Sequence, residues 1–259
     1  MSLNNKNKVC IFINSCDKTH DVAIYFLKSF EKYIKNNHFE VFIGINEKKH
    51  DEKYKSLNYV FAKKSNWKEE TIYQLNQLKK KYGYEKIIHI LDDFIFCDHS
   101  NLKDISSIIK YYNLKKLKYL CLKKLDECFI VNILNKLRSK NLIYKIRDDY
   151  PYYTSLQISL WDIDYFIKNI ENCKSIWNFE RQQLTKNHYH VKKNIFHYKH
   201  IVEKGEWDYH TSNYIEKYLD SFKAGSRPFR KSFLGREIFI LKKISFNLFG
   251  FLIMRIRGN

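Results

Sequence analysis

Glycine and proline are scarce in this chain, which has 7 and 2 of them among its 259 residues. Flexible linkers are rich in these residues, so the composition predicts a compact domain with short connections. Three common loop motifs are also missing: the Walker A loop, G-x-G-x-x-G and G-x-S-x-G. Their absence argues against P-loop proteins, dinucleotide-binding enzymes and α/β-hydrolases.

Closely spaced cysteine pairs and long apolar runs are absent as well. The 6 cysteines are scattered without a C-x-x-C pair, which predicts free thiols in a reducing compartment rather than a zinc ribbon or a disulfide framework. The longest uncharged apolar stretch, 244–254, has 11 residues and is too short to span a bilayer. Because no secretory signal pattern opens the sequence, we expect a cytoplasmic protein.

Acidic residues are outnumbered, since 28 Asp and Glu accompany 47 Lys and Arg and leave a formal net charge of +19. Such a charge favours anionic partners, which include nucleic acid, acidic lipid head groups and phosphorylated small molecules. It does not choose among them. The hydrophobic fraction of 44% excludes a wholly disordered chain.

The periodicity of the apolar residues predicts strands that alternate with helices. The predicted strands are 9–13, 40–45, 58–62, 86–91 and 117–122, and the predicted helices are 22–34, 67–82 and 102–112. This order indicates an α/β domain with a Rossmann-like mixed sheet flanked by helices. We assign residues 1–222 to this domain and residues 223–259 to a basic, amphipathic, helical C-terminal tail.

Polar residues follow three of the predicted strands, at positions 14–17, at Asn46 and at Asp92 with Asp93. In open α/β sheets, ligands bind outside the carboxyl ends of the strands. We therefore expect these residues to meet at one edge of the sheet and to form a binding site.

Asp92 and Asp93 follow a strongly apolar strand, where a charge is costly to bury unless it is paired or bound to a metal. Mg²⁺ and Mn²⁺ take carboxylate and phosphate oxygens together. Neighbouring strand residues point to opposite faces, so both carboxylates can reach one ion only if the strand ends there. We assign the metal to Asp93, and the ribose or a backbone loop to Asp92. The alternative is a turn with solvated aspartates.

Several short motifs occur in a fixed order: NSCDK at 14–18, Trp67 opening a helix, LDDF at 91–94, SLQISLW at 155–161, WNFE at 177–180 and KGEW at 204–207. Together they resemble bacterial glycosyltransferase-like proteins with the GT-A fold, of surface-polysaccharide gene clusters. The acidic pair stands where that fold usually has Asp-x-Asp. This sequence lacks the residue between the two aspartates, so binding of one metal ion by both carboxylates does not follow from the resemblance.

The resemblance implies a nucleotide-sugar donor, most simply a UDP-sugar, and a divalent cation, Mn²⁺ or Mg²⁺. The donor would be held by Asn14, Ser15, Asp17, Asp92 and Lys204. The metal would be held by Asp93, with His197 as a late ligand. The alternatives are an ordinary Lys-Gly turn at Lys204 and a solvated or structural role for His197.

The acceptor, a saccharide or a lipid-linked saccharide, would enter over the second half of the chain, against Gln157 and Trp161. Glu180 is the candidate general base, which together with Asp93 completes the predicted catalytic pair, because an inverting transfer needs a carboxylate to deprotonate the acceptor hydroxyl. The alternatives are a surface glutamate at Glu180 and a core strand around Trp161.

Two other classes of protein share some of these features. A basic nucleic-acid-binding protein would suit the charge, but no RRM, KH or zinc-finger motif is present, so we expect no specific nucleic acid partner. A metal-dependent nucleotidyltransferase would share the α/β plan, but it would ordinarily show a glycine-rich loop after the first strand.

The tail carries an apolar stripe at helical spacing with basic residues beside it. The stripe comprises Ile244, Leu248, Phe249, Leu252 and Ile256, and the flanking residues are Lys242, Lys243, Arg255 and Arg257. Such a helix suits an anionic membrane surface, which would place the protein on the inner face of the plasma membrane. The alternative is that the stripe packs on the domain or on a second subunit.

Overall fold

The computed structural model describes residues 8–34, 38–47, 57–100, 102–124, 142–146, 154–181 and 188–230. In chain order its elements are β1 (Val9–Asn14), α1 (His20–Ile34), β2 (Val41–Ile45), β3 (Asn58–Phe61), α2 (Trp67–Lys80), β4 (Lys86–Leu91), β5 (Phe94–Phe96), α3 (Leu102–Leu114), β6 (Tyr119–Cys121), β7 (Ile143–Lys145), β8 (Ser159–Asp162), α4 (Ile163–Glu171), α5 (Ile176–Arg181), β9 (Tyr189–Val191), β10 (Tyr198–His200), β11 (Val202–Glu203), β12 (Glu206–Trp207) and α6 (Thr211–Tyr218). Each of the five strands and three helices predicted between residues 9 and 122 is present, with ends within two residues of the prediction.

The central sheet has eight strands in the order β3-β2-β1-β4-β8-β6-β9-β7. Strands β3, β2, β1 and β4 are parallel, and we call them the parallel half. Strand β8 is antiparallel to both of its neighbours, β4 and β6, and it begins the mixed half, which continues with β6, β9 and β7. The predicted mixed α/β sheet flanked by helices is confirmed.

The alternation of side chains along β1 divides the core into two layers. Ile11 and Ile13 point to the face covered by α1 and α3, where they join the cluster that contains Phe26. Cys10 and Phe12 point to the opposite face, where α2 and α4 pack. Because both faces are covered by helices, central strands such as β1 read as continuous apolar runs.

Helix α2 shows how its ends follow from the sequence. The Asn66 side chain accepts a hydrogen bond from the Glu69 backbone N–H at 3.0 Å and caps the N-terminus. At the other end, Gly83 has a φ of 74° and its N–H donates to the Lys79 carbonyl at 3.1 Å. A left-handed residue after the last turn is usually glycine, so the predicted stop at Gly83 is present.

The backbone of β2 approaches α2 closely at Gly44, which pairs with Asn14 of β1. A Cβ at this position would overlap the side-chain amide of Gln74. Gln74 is buried and its Nε2 lies 3.4 Å from the Ile45 carbonyl. Glycine therefore leaves room for the Gln74 amide at the carboxyl end of β2, and a side chain at this position would have to displace that amide.

Residues 223–230 pack on the domain, so the chain does not leave it at the predicted boundary after residue 222. The Trp207 indole donates to the Ala224 carbonyl at 2.9 Å, and the Tyr25 hydroxyl donates to the Lys223 carbonyl at 3.0 Å. The stripe and basic flank predicted for the tail lie at 242–257, outside the described residues. In the part of the chain that the structure describes, no helix is long and apolar enough to cross a membrane.

Candidate active site

A cleft of 770 Å³ opens at the carboxyl ends of β1, β2 and β4. Its polar lining comes from the loop after β1, the end of β2, the start of α2, the end of β4, and two later segments. The lining residues include Asn14, Ser15, Lys18, Thr19, Asn46, Lys64, Trp67, Thr71, Gln74, Asp92, Asp93, Lys204 and Arg227. Polar residues from all three strand ends predicted to bind ligand thus line one cleft.

Asp92 joins the end of β4 to the loop after β1. It is only 6% exposed, and its Oδ2 accepts hydrogen bonds from the Ser15 and Thr19 hydroxyls, each at 2.5 Å. Burial raises the pKa of Asp92 to about 6, although these two hydroxyls lower it. Asp92 therefore fixes the position of the β1 loop at the cleft.

Asp93 is a polar group of the cleft with an unsatisfied buried oxygen. Strand β4 ends at Leu91, so Asp92 and Asp93 lie in a turn, and the constraint of opposite strand faces does not apply. The Asp93 Oδ1 is buried without a hydrogen-bond partner. Burial, the neighbouring Asp92 charge and the more distant Glu180 charge raise the pKa of Asp93 to about 8. Such a carboxylate calls for a cation or a hydrogen-bond donor.

Glu180 lies on α5, and its charge contributes to the raised pKa of Asp93. Its Oε1 accepts from the Leu156 N–H at 3.0 Å and lies 3.4 Å from the Ser155 hydroxyl. Burial raises the pKa of Glu180, and those hydrogen bonds lower it. The adjoining Phe179 is 1% exposed, so this carboxylate has a buried apolar neighbour. Glu180 is thus an electrostatic neighbour of Asp93, but it is not among the described residues that line the cleft.

Asn14 and Ser15 line the cleft as predicted, whereas Asp17 links two loops beside it. The Asn14 amide donates to the Thr71 hydroxyl at 2.9 Å. The Asp17 Oδ1 accepts from the backbone N–H groups of Asn46 and Glu47, each at 3.2 Å. Asp17 is not among the described residues that line the cleft. Its carboxylate positions the two loops, and its contact with the nucleoside stays a prediction.

Lys204 lines the cleft, as the sequence predicted, in a two-residue turn between β11 and β12. Its φ is 55° and that of Gly205 is 83°. Two positive φ values in succession define the type I′ hairpin turn, whose second position favours glycine. Lys204 and Gly205 thus form an ordinary hairpin turn, and Lys204 also lines the cleft.

Arg227 closes the cationic side of the cleft, and sequence reasoning missed it. Its guanidinium donates to both carboxylate oxygens of Asp21 at 2.8 and 2.7 Å, to the Gly205 carbonyl at 2.8 Å and to the Lys18 carbonyl at 3.1 Å. Its side chain is 12% exposed. Asp21 raises the pKa of Arg227, as does the more distant Asp92. Arg227 therefore joins the loops that carry Lys18 and Lys204.

Thr19 was also missed, although a local signal exists. It lies four residues after Ser15, and the short 3-10 turn Asp17–Thr19 brings both hydroxyls to Asp92. A Ser-x-x-x-Thr spacing in the loop after β1 was available in the sequence. Arg227 has no comparable local signal.

The predicted acceptor residues behave differently from each other. Trp161 has no exposed surface, and its ring stacks on Phe166 with a centroid distance of 4.4 Å. Its assignment to the acceptor site was wrong, because β8 is buried on both faces. Gln157 precedes β8 and is half-buried. Its side-chain Oε1 accepts a hydrogen bond from the Tyr198 hydroxyl at 2.6 Å, and its backbone N–H donates to the Ser155 hydroxyl at 3.2 Å. Gln157 thus lies next to Ser155, whose hydroxyl is 3.4 Å from the Glu180 carboxylate.

His197 is exposed and lines a separate hollow of 130 Å³. Its carbonyl accepts a hydrogen bond from the Cys97 N–H at 2.9 Å, just after β5, whereas the Asp93 carbonyl, just before β5, accepts from the Ile201 N–H at 3.0 Å. The structure therefore does not bring His197 to Asp93, and the predicted pairing of these two residues is corrected. Among the described residues, no group of three or more His, Cys, Asp and Glu side chains is arranged to hold a metal ion.

Comparison with known proteins gives fold-level matches only. No family model matches the chain, and no curated protein matches its sequence. S. aureus TarS 1–349, in complex with UDP-GlcNAc, superimposes with a TM-score of 0.50 at 13% identity, covering 77% of this chain and 60% of the TarS chain. This likeness shows that the mixed sheet and its helices form a GT-A-like fold. The chain thus spans less than two thirds of that relative.

Two other solved structures match with lower scores. A cytidylyltransferase from Leptospira borgpetersenii matches at a TM-score of 0.43 and 14% identity, covering 93% of this chain and 96% of that one. A UDP-glucose pyrophosphorylase complexed with UDP-glucose matches at 0.43 and 12% identity, covering 74% of this chain and 91% of that one.

Proposed function

We propose that this protein is a glycosyltransferase that moves a sugar from a nucleotide-sugar donor to a saccharide or lipid-linked acceptor. The observation that carries the proposal is the cleft at the carboxyl ends of β1, β2 and β4, which Asp93 lines together with the cations Lys18, Lys204 and Arg227. The GT-A-like fold supports it, and the matching TarS structure is itself a complex with UDP-GlcNAc. We take a UDP-sugar as the first donor to test.

The charges of the cleft suggest how the donor lies. Lys18, Lys204 and Arg227 line one side, where their positive charges would face the diphosphate. Asn46 and Trp67 line another part of the cleft, where an amide and an indole ring would meet the nucleoside base. The sugar would then lie near Asp93, beside Glu180.

The residues at the end of β4 fit a divalent cation. The buried Asp93 Oδ1 has no hydrogen-bond partner, and carboxylate oxygens are the ligands that Mg²⁺ and Mn²⁺ prefer. Asp93 would hold the ion, with Asp92 held beside it by Ser15 and Thr19. When bound, such an ion stabilises negative charge on a leaving diphosphate. Since the protein offers few ligands here, phosphate oxygens and water would complete its coordination.

Glu180 would act as the general base of an inverting transfer. It takes the proton of the acceptor hydroxyl while that oxygen bonds to the anomeric carbon, and the electron pair of the broken bond leaves with the nucleoside diphosphate. The hydrogen bonds from Leu156 and Ser155 hold Glu180 in place and leave its second oxygen for the acceptor.

Nucleotidyl transfer is the nearest competing chemistry. The loop after β1 reads Asn-Ser-Cys-Asp-Lys-Thr and contains no glycine, whereas a glycine-rich loop at this place ordinarily surrounds the triphosphate in that class. Nothing in the described cleft favours it over glycosyl transfer.

The sequence resemblance supports a place in bacterial surface-polysaccharide synthesis, for capsule or lipooligosaccharide. The predicted basic tail would keep the enzyme on the inner face of the plasma membrane, next to a lipid-linked acceptor.

The test is a thermal-shift screen of nucleotide-sugars with and without Mn²⁺, because binding to the native state raises the melting temperature. We expect a UDP-sugar to stabilise the protein more in the presence of Mn²⁺. A coupled product assay then separates the two chemistries, since glycosyl transfer releases a nucleoside diphosphate and nucleotidyl transfer releases pyrophosphate. Binding of single-stranded RNA far tighter than that of any nucleotide-sugar would overturn the proposal.

A further inference from the structure

A second concavity, which we call the basic hollow, lies beside strand β10. It has a volume of 130 Å³, and its lining includes Lys123, Asn194, His197, Tyr198 and Lys199. The volume allows a group as large as several water molecules. Two lysines, an imidazole and an amide side chain at one small concavity form a set of hydrogen-bond donors with positive charge.

The basic hollow is connected to the proposed general base through polar side chains. The Tyr198 hydroxyl, on the hollow, donates to Gln157 at 2.6 Å. The Gln157 backbone N–H donates to the Ser155 hydroxyl at 3.2 Å, and that hydroxyl lies 3.4 Å from Glu180. A series of hydrogen bonds through Gln157 and Ser155 therefore links Glu180 to Tyr198 at the hollow.

Lys123 connects the two places electrostatically. It is half-buried, and its ammonium lies 6.0 Å from the centre of the Tyr198 ring. Its charge also acts on Glu180. The basic hollow and Glu180 therefore share a cationic neighbour in Lys123.

We propose that the basic hollow binds a phosphate or carboxylate group of the acceptor, so that the enzyme selects anionic acceptors. This inference rests on the proposed function, because it names the chemical class of the second substrate of the same site. The hollow is distinct from the donor cleft, since the two concavities share no lining residue.

The nearby charges favour an anion over a neutral sugar group. Burial raises the pKa of Cys97, which lines the hollow. The positive charge of Lys199 opposes this rise, and the exposed carboxylate of Asp98 adds to it. Two ammonium groups against one solvated carboxylate leave the hollow positive. Charge-assisted hydrogen bonds are about twice as strong as neutral ones, so a phosphate or carboxylate would gain most there.

The first experiment measures anion binding directly, by NMR titration of the full chain with inorganic phosphate and, separately, with acetate. The double variant Lys123→Gln with Lys199→Gln is compared with a charge-matched control, Lys80→Gln with Lys110→Gln, whose lysines are exposed and line neither concavity. We expect backbone signals at 194–199 to shift in the wild type and the control, and at least a tenfold weaker response in the double variant. Equal shifts in all three proteins would overturn the proposal.

The second experiment measures transfer to a hexose 6-phosphate, to the matching hexuronic acid and to the free hexose. We expect the double variant to raise the KM of an anionic acceptor at least tenfold and to leave the KM of the donor unchanged. Whichever anionic acceptor shows this loss identifies phosphate or carboxylate as the natural group. A preference for the free hexose that the variant does not alter would overturn the inference while leaving the proposed function intact.

Failure of the proposed function gives a different result. If no nucleotide-sugar binds and none is consumed with any acceptor, the function fails whatever the phosphate titration shows. Should Lys123→Gln disturb folding, the single variant Lys199→Gln, an exposed position, carries the same comparison with Lys110→Gln.

Discussion

The two halves of the sheet contribute to the site in opposite ways. In the parallel half, functional side chains come directly after strands, as Ser15 does after β1 and Asp93 after β4. In the mixed half, β8 is antiparallel to β4, and Ser159 at its start pairs with His89 near the end of β4. The residues that reach the same edge therefore precede β8, where Ser155 and Leu156 bind Glu180. A rule that looks only after strands finds half of such a site.

The largest expected effect belongs to the parallel half, in Asp93→Asn. If Asp93 holds charge that stabilises the leaving group, turnover should fall about 1000-fold, at the upper end for loss of one such group. The exposed Asp220→Asn serves as the control and should stay within twofold of wild type. Full activity of Asp93→Asn would remove this carboxylate from the mechanism.

The same variant should gain stability. The pKa of Asp93 is about 8 in the folded chain against an ordinary 3.8, so the folded state holds this proton more tightly and loses stability as the pH rises between these values. Asp93→Asn should therefore melt above wild type at pH 8, and the difference should be smaller at pH 5. Each 1 kcal/mol of stability gained should raise the melting temperature by about 2–4 °C. Mn²⁺ should raise the melting temperature of wild type only. A pH-independent difference would contradict the buried-charge explanation.

The next effect belongs to the mixed half. Glu180→Gln should lower turnover about 100-fold with donor binding unchanged, the usual scale for a general base. Because burial raises the pKa of Glu180, the acid-side loss of wild-type activity should begin at a higher pH than for an ordinary glutamate. The pH–activity profile of the variant should lack this acid-side loss. Glu171→Gln, an exposed position, is the matched control. A loss of less than threefold would identify Glu180 as a bystander.

A smaller effect is expected at Arg227, which holds the loop after β1 to the turn between β11 and β12. Arg227→Lys keeps the charge but cannot reproduce the paired hydrogen bonds to Asp21 or the contacts with the Lys18 and Gly205 carbonyls. The donor KM should rise about tenfold, equivalent to about 1.4 kcal/mol. Arg230→Lys, next to the same segment, should change it less than threefold. Equal effects of the two variants would show that Arg227 has no special role at the cleft.

The position of Arg227 also determines where the tail can be removed. A chain that ends at Phe222 loses Arg227 and should lose donor binding, whereas a chain that ends after Arg230 should retain it. The second truncation is therefore the one that tests membrane binding by the remaining residues, through flotation with anionic vesicles at low salt.

The smallest effect on catalysis is expected from Trp161→Phe. This change leaves a void in a fully buried aromatic cluster and should lower stability by about 1–3 kcal/mol. The KM of the acceptor should change less than twofold, because Trp161 has no surface to offer a sugar. A specific rise in that KM, with the melting temperature unchanged, would restore Trp161 to the acceptor site.

The sequence predicted the parallel half well because long apolar strands with polar ends are local signals. Asp92 and Asp93 were located at the cleft for this reason. Trp161 was misplaced because alternation along a strand says which residues share a face, but not that helices and neighbouring strands bury both faces. His197 was misplaced because β10 is three residues long and carries no pattern from which its register against β5 could be read.

The bond between Arg227 and Asp21 has a consequence for the order of events during synthesis. The two residues are 206 positions apart in the chain, so the wall of the cleft cannot close until residue 227 has left the ribosome. Contacts of such large sequence separation form late, because their loop-closure entropy must be offset by structure that already exists. Under the proposed function, a nascent chain can therefore assemble the parallel half early and still be unable to retain a donor. Donor binding would then report that the chain has been made at least as far as Arg227.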